Sequence, residues 1–350
     1  LIGELSVLHT SVGGGDLRRG EDQINLGLLG ARFTKNDGLK GFQVAYIYQS
    51  DPDYPDEMSP LSHPDIQINV GDVITHVDGE AVLSASDINY YLRDKAGQQV
   101  RLGLVSEKGT KLDDRIVIPM NTRAESNLRY NDWEYTRRLA AEEASDGDIG
   151  YVHLRAMTGS DISQWYRDFY PQFKKSGLII DVRNNRGGNI DSFILEKLMR
   201  EAFFYWKNRE GEPYWNMQYA FRGHLVLLVD EFTASDGEAF AEGFRRLNLG
   251  KSIGARTWGG EVWLSGSNTL SDNGVARAPM MGVYGEEGEW LIEGEGFIPD
   301  IEVINLPKAT FEGKDAQLEA AINHLKELIK EDPRPVPSPP AYPDKSFRNN

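Results

Sequence analysis

The sequence predicts an α/β protein in which a small β-rich module precedes a larger layer of alternating strands and helices. Three observations carry that expectation. A chain of 350 residues is long enough for about two domains. From about residue 149 onward, apolar runs of strand length alternate with amphipathic, helix-like segments, as in a buried sheet covered by helices. Between about 26 and 120, short β-like runs are instead broken by one short helical stretch. With 40% hydrophobic and 26% charged residues, and no apolar run near ~18 residues, the chain reads as globular, and no membrane partner is expected. A net charge of −16 argues against a nucleic-acid partner. The absence of cysteine removes disulfides, thiol nucleophiles and thiolate metal sites. The chain opens "LIGELSVLHT", without methionine or a leader-like segment, and so reads as the C-terminal part of a longer protein.

Taken in order, residues 1–25 hold a glycine-rich stretch, "HTSVGGGD", from His9 to Asp16. In the module over 26–120, "FQVAYIY", "DVITHV", "QVRLGLV" and "DRIVIPM" read as strands. Between them Ser86 is a candidate cap for a short helix with Ile88, Tyr91 and Leu92 on one face. The region 121–330 is the α/β core. "IGYVHLRAM" and "GLIIDV" read as strands, "SDISQWYRDFYPQF" as a helix as far as Pro171, and "NIDSFILEKLMREAF" as a longer helix. "HLVLLV", "SDGEAFAEGFRRLN" and "KSIGART" repeat strand, helix, strand. A last helix over 314–331 puts Leu318, Ala321, Ile322, Leu325, Leu328 and Ile329 on one side. The proline-rich tail, 331–350, cannot continue it.

Two strand-to-helix junctions stand out. In "DEFTASDGEAF", Ser235 sits where a small hydroxyl serves either as an N-cap, with Glu238 as the N3 partner of a capping box, or as a nucleophile at the carboxyl edge of a sheet. In "GLIIDVRNNRGGNIDSF", Gly187 and Gly188 let a backbone N–H approach a ligand closely. Two such turns side by side could each donate one N–H to an oxyanion. A serine also needs a base. Of the six histidines, His63, His76 and His153 neighbour strand-like or loop residues, His224 opens a strand and His324 lies in the last helix. His9, before the triple glycine, is the one set apart.

The ordered segments "GELSVLHTSVGGGD", "RNNRGGN", "TASDGEAFAEGF", "GARTWGGEVW", "IEGEGFIPDIEV" and "YPDKS" together resemble the protease part of the tricorn-type serine peptidases, which sit with the tail-specific, or C-terminal-processing, peptidases. The resemblance covers nearly the whole chain. It implies a crotonase-like core with an inserted PDZ-like domain, carried here by 26–120 and most visible in "INVGDVITHVDGEAV". Such modules bind extended peptide at a strand edge. It implies catalysis by Ser235 as nucleophile, His9 as general base and Glu293 as the glutamate that orients the imidazole. The N–H groups of Asp236 and of Gly188, or Gly187 one residue earlier, would form the oxyanion hole. It further implies oligopeptide substrates, a ring-like homo-oligomer, no cofactor or metal, a cytoplasmic address, and propeller domains in the part of the protein upstream of this chain.

One position departs from the pattern. The family has a serine immediately before the histidine, and here it is Leu8, which relays no hydrogen bond. Ser6, Thr10, Ser11 or a direct bond from Glu293 are the alternatives. The Ser–Lys pair of the sister peptidases has no candidate, since no lysine lies between Lys251 and Lys308. The aromatic-rich segment 201–223 reads as a specificity wall, an interface or an insertion packed on its own domain, and Asp236 suits a basic substrate side chain. Leu8 keeps a rival reading open: a catalytically impaired, PDZ-containing peptide-binding protein.

Overall fold

The computed structural model describes residues 10–16, 20, 23–266 and 268–343. The chain divides into two compact units, one holding the described residues up to 16 and from 140 onward, the other the described residues of 18–139.

In the smaller unit, strands β2 (Ala31–Asn36), β3 (Gly41–Ile47), β4 (Val73–Val77), β6 (Val100–Val105) and β7 (Arg115–Val117) form an antiparallel sheet in the order β2-β3-β4-β6-β7. The two-residue strand β5 (Glu80–Ala81) hangs on β4. Val44, Ile74, Val100 and Leu102 are among the residues that fill the core of this unit. The short helix expected here is a 3-10 turn, Ile88–Leu92. Its cap is Asp87 rather than Ser86, with the Asp87 carboxylate accepting the Asn89 N–H at 2.8 Å. Ile88, Tyr91 and Leu92 do face the core. A helix absent from the sequence reading follows, α1 (Thr122–Ala144). It has no glycine or proline and begins with the Asn121 side chain accepting the Ala124 N–H at 2.9 Å. It carries no clear apolar stripe, which is why periodicity missed it.

The larger unit is built on a parallel sheet in the order β17-β13-β12-β9-β8. Its strands are β8 (Ile149–His153), β9 (Gly177–Asp181), β12 (His224–Val229), β13 (Gly250–Gly254) and β17 (Ile301–Glu302). Leu225, Leu227 and Val229 point to one face, against α2 (Gly159–Phe169), α3 (Asp191–Leu198) and α4 (Asp236–Arg246). Val226 and Leu228 point to the other face, against Leu318, Ala321, Ile322 and Leu325 of α6 (Ala316–Glu331). Both faces are therefore buried, and this is the reason "HLVLLV" shows no polar alternation. The remaining elements are short: β1 (Ser11–Gly14), β10 (Phe204–Trp206), β11 (Tyr214–Asn216), β14 (Trp263–Leu264), β15 (Gly274–Arg277), β16 (Pro279–Met281) and α5 (Pro307–Phe311). β1 pairs with β15 in antiparallel register, Ser11 opposite Arg277 and Gly14 opposite Gly274.

Two expected lengths change. The first core strand stops at His153. The α3 helix ends at Leu198 rather than near 203. The aromatic residues that follow, Phe204, Tyr205 and Trp206, favour extended backbone and pair as a hairpin with Tyr214–Asn216.

Candidate active site

Adjacent strands β9 and β12 deliver two turns to the same edge of the sheet. After β12, the chain turns at Asp230 and enters α4 through Ser235. The serine is half-buried and stands at φ 53°, ψ −129°, a region that side chains other than glycine rarely occupy. Strain of this kind lifts a side chain off the end of a strand and persists only where neighbours over-determine it. The capping box forms around it. The Ser235 N–H donates to Glu238 Oε2 at 3.1 Å, while the Glu238 N–H bonds the Ser235 carbonyl at 2.7 Å.

The turn after β9 runs from Val182 to Ile190. Asn184 is left-handed at φ 59° and Gly187 at φ 81°. The two turns are laced together. Asn184 N–H donates to Asp230 Oδ1 at 2.9 Å and Ala234 N–H to the Asn185 carbonyl at 2.9 Å. Ile190 and Asp191 N–H both donate to Asp236 Oδ2, at 2.7 and 3.1 Å. Gly187 is pressed against the serine: a Cβ there would lie 2.5 Å from Ser235 Cβ, 2.9 Å from its Oγ and 2.9 Å from the Asp236 nitrogen.

The two glycines differ in the way that matters for an anion. The Gly187 N–H is buried and donates to Asn185 Oδ1 at 2.8 Å. Gly188 is exposed, and among the described residues its N–H has no partner; nor has the Asp236 N–H, the first of α4. Two unengaged donors therefore lie on the two turns that meet at Ser235, with a helix N-terminus behind one of them.

Glu293 lies on the loop after β16. Ile292 before it adopts φ 67°, an outlier for a β-branched residue, and so sets the direction in which Glu293 leaves the chain. Glu293 is half-buried, and its Oε2 accepts the N–H groups of Glu261 and Val262 at 2.8 and 3.0 Å. Glu295, two residues on, is exposed. His9, Ser6 and Leu8 lie outside the described residues. Thr10 is half-buried, and Ser11 is an exposed residue of β1.

The electrostatics here are acidic. Burial first, then the nearby Asp191 charge, push the Asp236 carboxyl up to about 7, and its Oδ1 is buried without a hydrogen-bond partner among the described residues. Its carboxylate is turned onto the N-terminus of α3, so Asp236 is not a free anion facing a substrate. Burial, and then the charges of Glu238, Asp236, Asp191 and Glu293, push Glu261 up to about 9. Among the described residues Glu261 Oε2 also has no partner. Below the turn, burial would raise Asp315, but Arg183 beside it prevails and holds it at about 2. His153 is a core residue, lowered to about 4 by burial. No three acids and histidines among the described residues are grouped to hold a metal ion, and no helix among them is long and apolar enough to cross a membrane.

Sequence reasoning did not single out Asp230, Asn185 or Glu261. Asp230 and Asn185 had a visible signal, since each is an acceptor at the mouth of a βα turn. Glu261, an acid between paired glycines and "VWL", could be suspected of burial from its apolar neighbours.

A nucleophile-like serine at a βα junction, flanked by a glycine turn in an α/β layer, belongs to a recognisable class. Residues 148–303 match peptidase family S41, and residues 27–122 match the tricorn protease PDZ domain. Residues 148–303 thus form an S41-type peptidase domain, and residues 27–122 a tricorn-type PDZ domain. The chain is most informatively compared with tricorn proteases. It is 33% identical to the tricorn protease of Thermoplasma acidophilum over 97% of this chain and 31% of that protein. It is 32% identical to tricorn protease homolog 1 of Streptomyces coelicolor over 91% of this chain and 29% of the homolog. A crystal structure of the tricorn protease matches with a TM-score of 0.85 and 32% identity, over 94% of this chain and 31% of that one. The chain thus spans about a third of the length of the relatives it matches.

Proposed function

We propose that this chain is the catalytic part of a tricorn-type serine peptidase that hydrolyses oligopeptides through an acyl-enzyme. His9 takes the proton of Ser235 as its Oγ attacks the scissile carbonyl carbon. The N–H groups of Asp236 and Gly188 hold the oxyanion, and the imidazolium returns the proton to the leaving amine as the acyl-enzyme forms. Water, activated by the same base, then releases the acyl group. Glu293 orients and charge-balances the imidazole, which Leu8 cannot do.

The observation that carries this reading is the strained Ser235 at the meeting of two turns, each with an unengaged N–H. It favours Gly188 over Gly187 as the second donor, because the Gly187 N–H is already held by Asn185. The similarity to tricorn proteases weighs against a binding-only protein. It also supports the finer expectations: a crotonase-like core over 121–330 with the histidine segment 1–25, a PDZ-like domain over 26–120 and a tail over 331–350. A ring-like homo-oligomer, propeller domains elsewhere in a longer protein, and a cytoplasmic address rest on the same similarity.

The test is Ser235→Ala. Loss of a serine nucleophile costs on the order of a million-fold in kcat. Alanine keeps the backbone strain the serine already bears, so the melting temperature should move by no more than about 3 °C. Substantial peptide hydrolysis by the purified variant would sink the assignment.

A further inference from the structure

We infer that Glu238 is a positioning residue that joins the nucleophile turn to the seat of Glu293. The inference rests on the peptidase reading above and assigns a role to a side chain that reading does not use.

As a capping-box partner, Glu238 would need one oxygen on one N–H. It does far more. The side chain is fully buried, and both oxygens are saturated. Oε1 accepts the Thr257 hydroxyl and the Gly259 N–H at 2.7 Å; Oε2 accepts the Gly260 N–H at 2.9 Å and the Ser235 N–H at 3.1 Å. The capping contact is the longest of the four. The other three hold one loop, residues 257–260. A carboxylate buried without a paired cation costs several kcal/mol unless donors replace its water, and these four donors do so.

That loop carries the seat of Glu293. The residues immediately after it, Glu261 and Val262, donate their N–H groups to Glu293 Oε2. The Gly259 carbonyl accepts the Gly294 N–H at 2.8 Å, and the Thr257 hydroxyl accepts the Phe297 N–H at 2.7 Å. From Ser235 to Glu293 the path is therefore Ser235 N–H, Glu238, Gly260 N–H, one peptide step, Glu261 N–H, Glu293. A shift of the loop moves the glutamate relative to the serine, and a misplacement of about 1 Å in such a constellation costs about a hundredfold in rate.

The experiment measures labelling of Ser235 by a fluorophosphonate against pH, located by peptide mass mapping, with a thermal melt of each protein. The proteins are wild type, Glu238→Gln, Glu293→Gln, the double variant and Thr257→Val. Glutamine at 238 turns a donor toward N–H groups and opens the loop's grip; Thr257→Val weakens the grip while leaving every charge in place. The expected result is labelling slowed about 10–100-fold in Glu238→Gln. Its pH midpoint should fall as in Glu293→Gln, because an imidazolium without its carboxylate loses its proton more readily. The acids around the seat are Glu261 on the loop, Asp236 on α4 and Asp191 on α3, and removing a charge at 238 acts on the imidazole directly as well. The double variant separates the two effects. If Glu238 works through Glu293, the double is within about threefold of the slower single variant and its midpoint moves no further. Thr257→Val then shows a smaller shift of the same sign.

Losses that multiply in the double, or a midpoint unmoved in both Glu238→Gln and Thr257→Val, overturn the inference and leave a cap alone. Should Glu238→Gln fail to fold, Thr257→Val decides by the same sign. Wild type that forms no Ser235 adduct overturns the peptidase reading itself, and this inference with it.

Discussion

The turn after β9 and the turn after β12 leave neighbouring parallel strands and enter neighbouring helices, yet one presents a side chain and the other a backbone. In both, the decisive residue has left-handed φ: Gly187 at 81° and Ser235 at 53°. At Gly187 there is no room for a Cβ, because the serine fills that space. At Ser235 a Cβ is tolerated, and it is the glycine opposite that makes room. The strain of one turn is accommodated by the missing side chain of the other, so the two are one unit of structure although they lie 48 residues apart in sequence.

Gly187→Ala is the sharpest way to break that complementarity. The new methyl would meet Ser235 Cβ at 2.5 Å, so the serine or the loop must move. Labelling and turnover should fall on the order of 10²–10³-fold. Stability should drop by about 2–4 kcal/mol, from overpacking together with left-handed strain. Gly97 in the smaller unit is the control: it has nearly the same φ, 77°, but nothing within 4 Å of the added Cβ. Gly97→Ala should cost about 1 kcal/mol, all of it backbone. Equal costs at the two sites, measured by urea denaturation, would show that Gly187 is needed only for its φ.

The lacing between the turns gives a smaller effect. Asp230 Oδ1 accepts from Asn184 N–H, Phe232 N–H and the Thr233 hydroxyl, at 2.9, 3.1 and 3.1 Å, and so fixes both turns at once. Asp230→Ala leaves two backbone donors without their acceptor, one of them on the glycine turn, while the Thr233 hydroxyl keeps the Val182 carbonyl at 2.8 Å; it should cost about 2 kcal/mol. If the turns are coupled through it, Ser235 labelling also slows about tenfold; an unchanged labelling rate would restrict Asp230 to folding.

Much of this was legible in the sequence, and the unreadable part has a physical cause. "HLVLLV" and the stripe of α6 announce a sheet buried on both faces, because apolar periodicity is a local property. The two turns that carry Ser235, Gly187 and Gly188 were legible for the same reason, as turn chemistry is local. Which of the two glycine N–H groups is left unengaged was not, since it depends on Asn185 turning its amide oxygen onto the Gly187 N–H. Glu238 read as a cap because its neighbour in sequence is Ser235, whereas its stronger partners are about 20 residues downstream. The α1 helix was hidden by its mixed surface, and the early end of α3 by a hairpin partner that only the fold supplies.

Glu238 and Glu261 sharpen the comparison at the level of single carboxyls, where the expected effect is on stability alone. Both are buried in the same pocket of acids. Glu238 has four donors; among the described residues Glu261 has a buried oxygen with none, and burial followed by its acidic neighbours pushes it up to about 9. For Glu261 the folded state holds the proton more tightly than the unfolded chain, where glutamate titrates near ~4.3. Below that pH both states are protonated and there is no effect. Between there and about 9 the unfolded state releases a proton that the folded state retains, so stability falls as pH rises. Glu261→Gln keeps the shape of the neutral acid and removes that slope. Relative to wild type its advantage should be about 1 kcal/mol at pH 5 and should grow by up to about 1.4 kcal/mol per pH unit, to several kcal/mol at pH 8. Asp236, raised to about 7, adds its own pH dependence, which is common to both proteins and largely cancels in the difference. Urea denaturation of the pair at the two pH values measures it. A difference that does not change from pH 5 to pH 8 would mean that Glu261 is ionised in the folded protein and finds a donor on a residue outside those described.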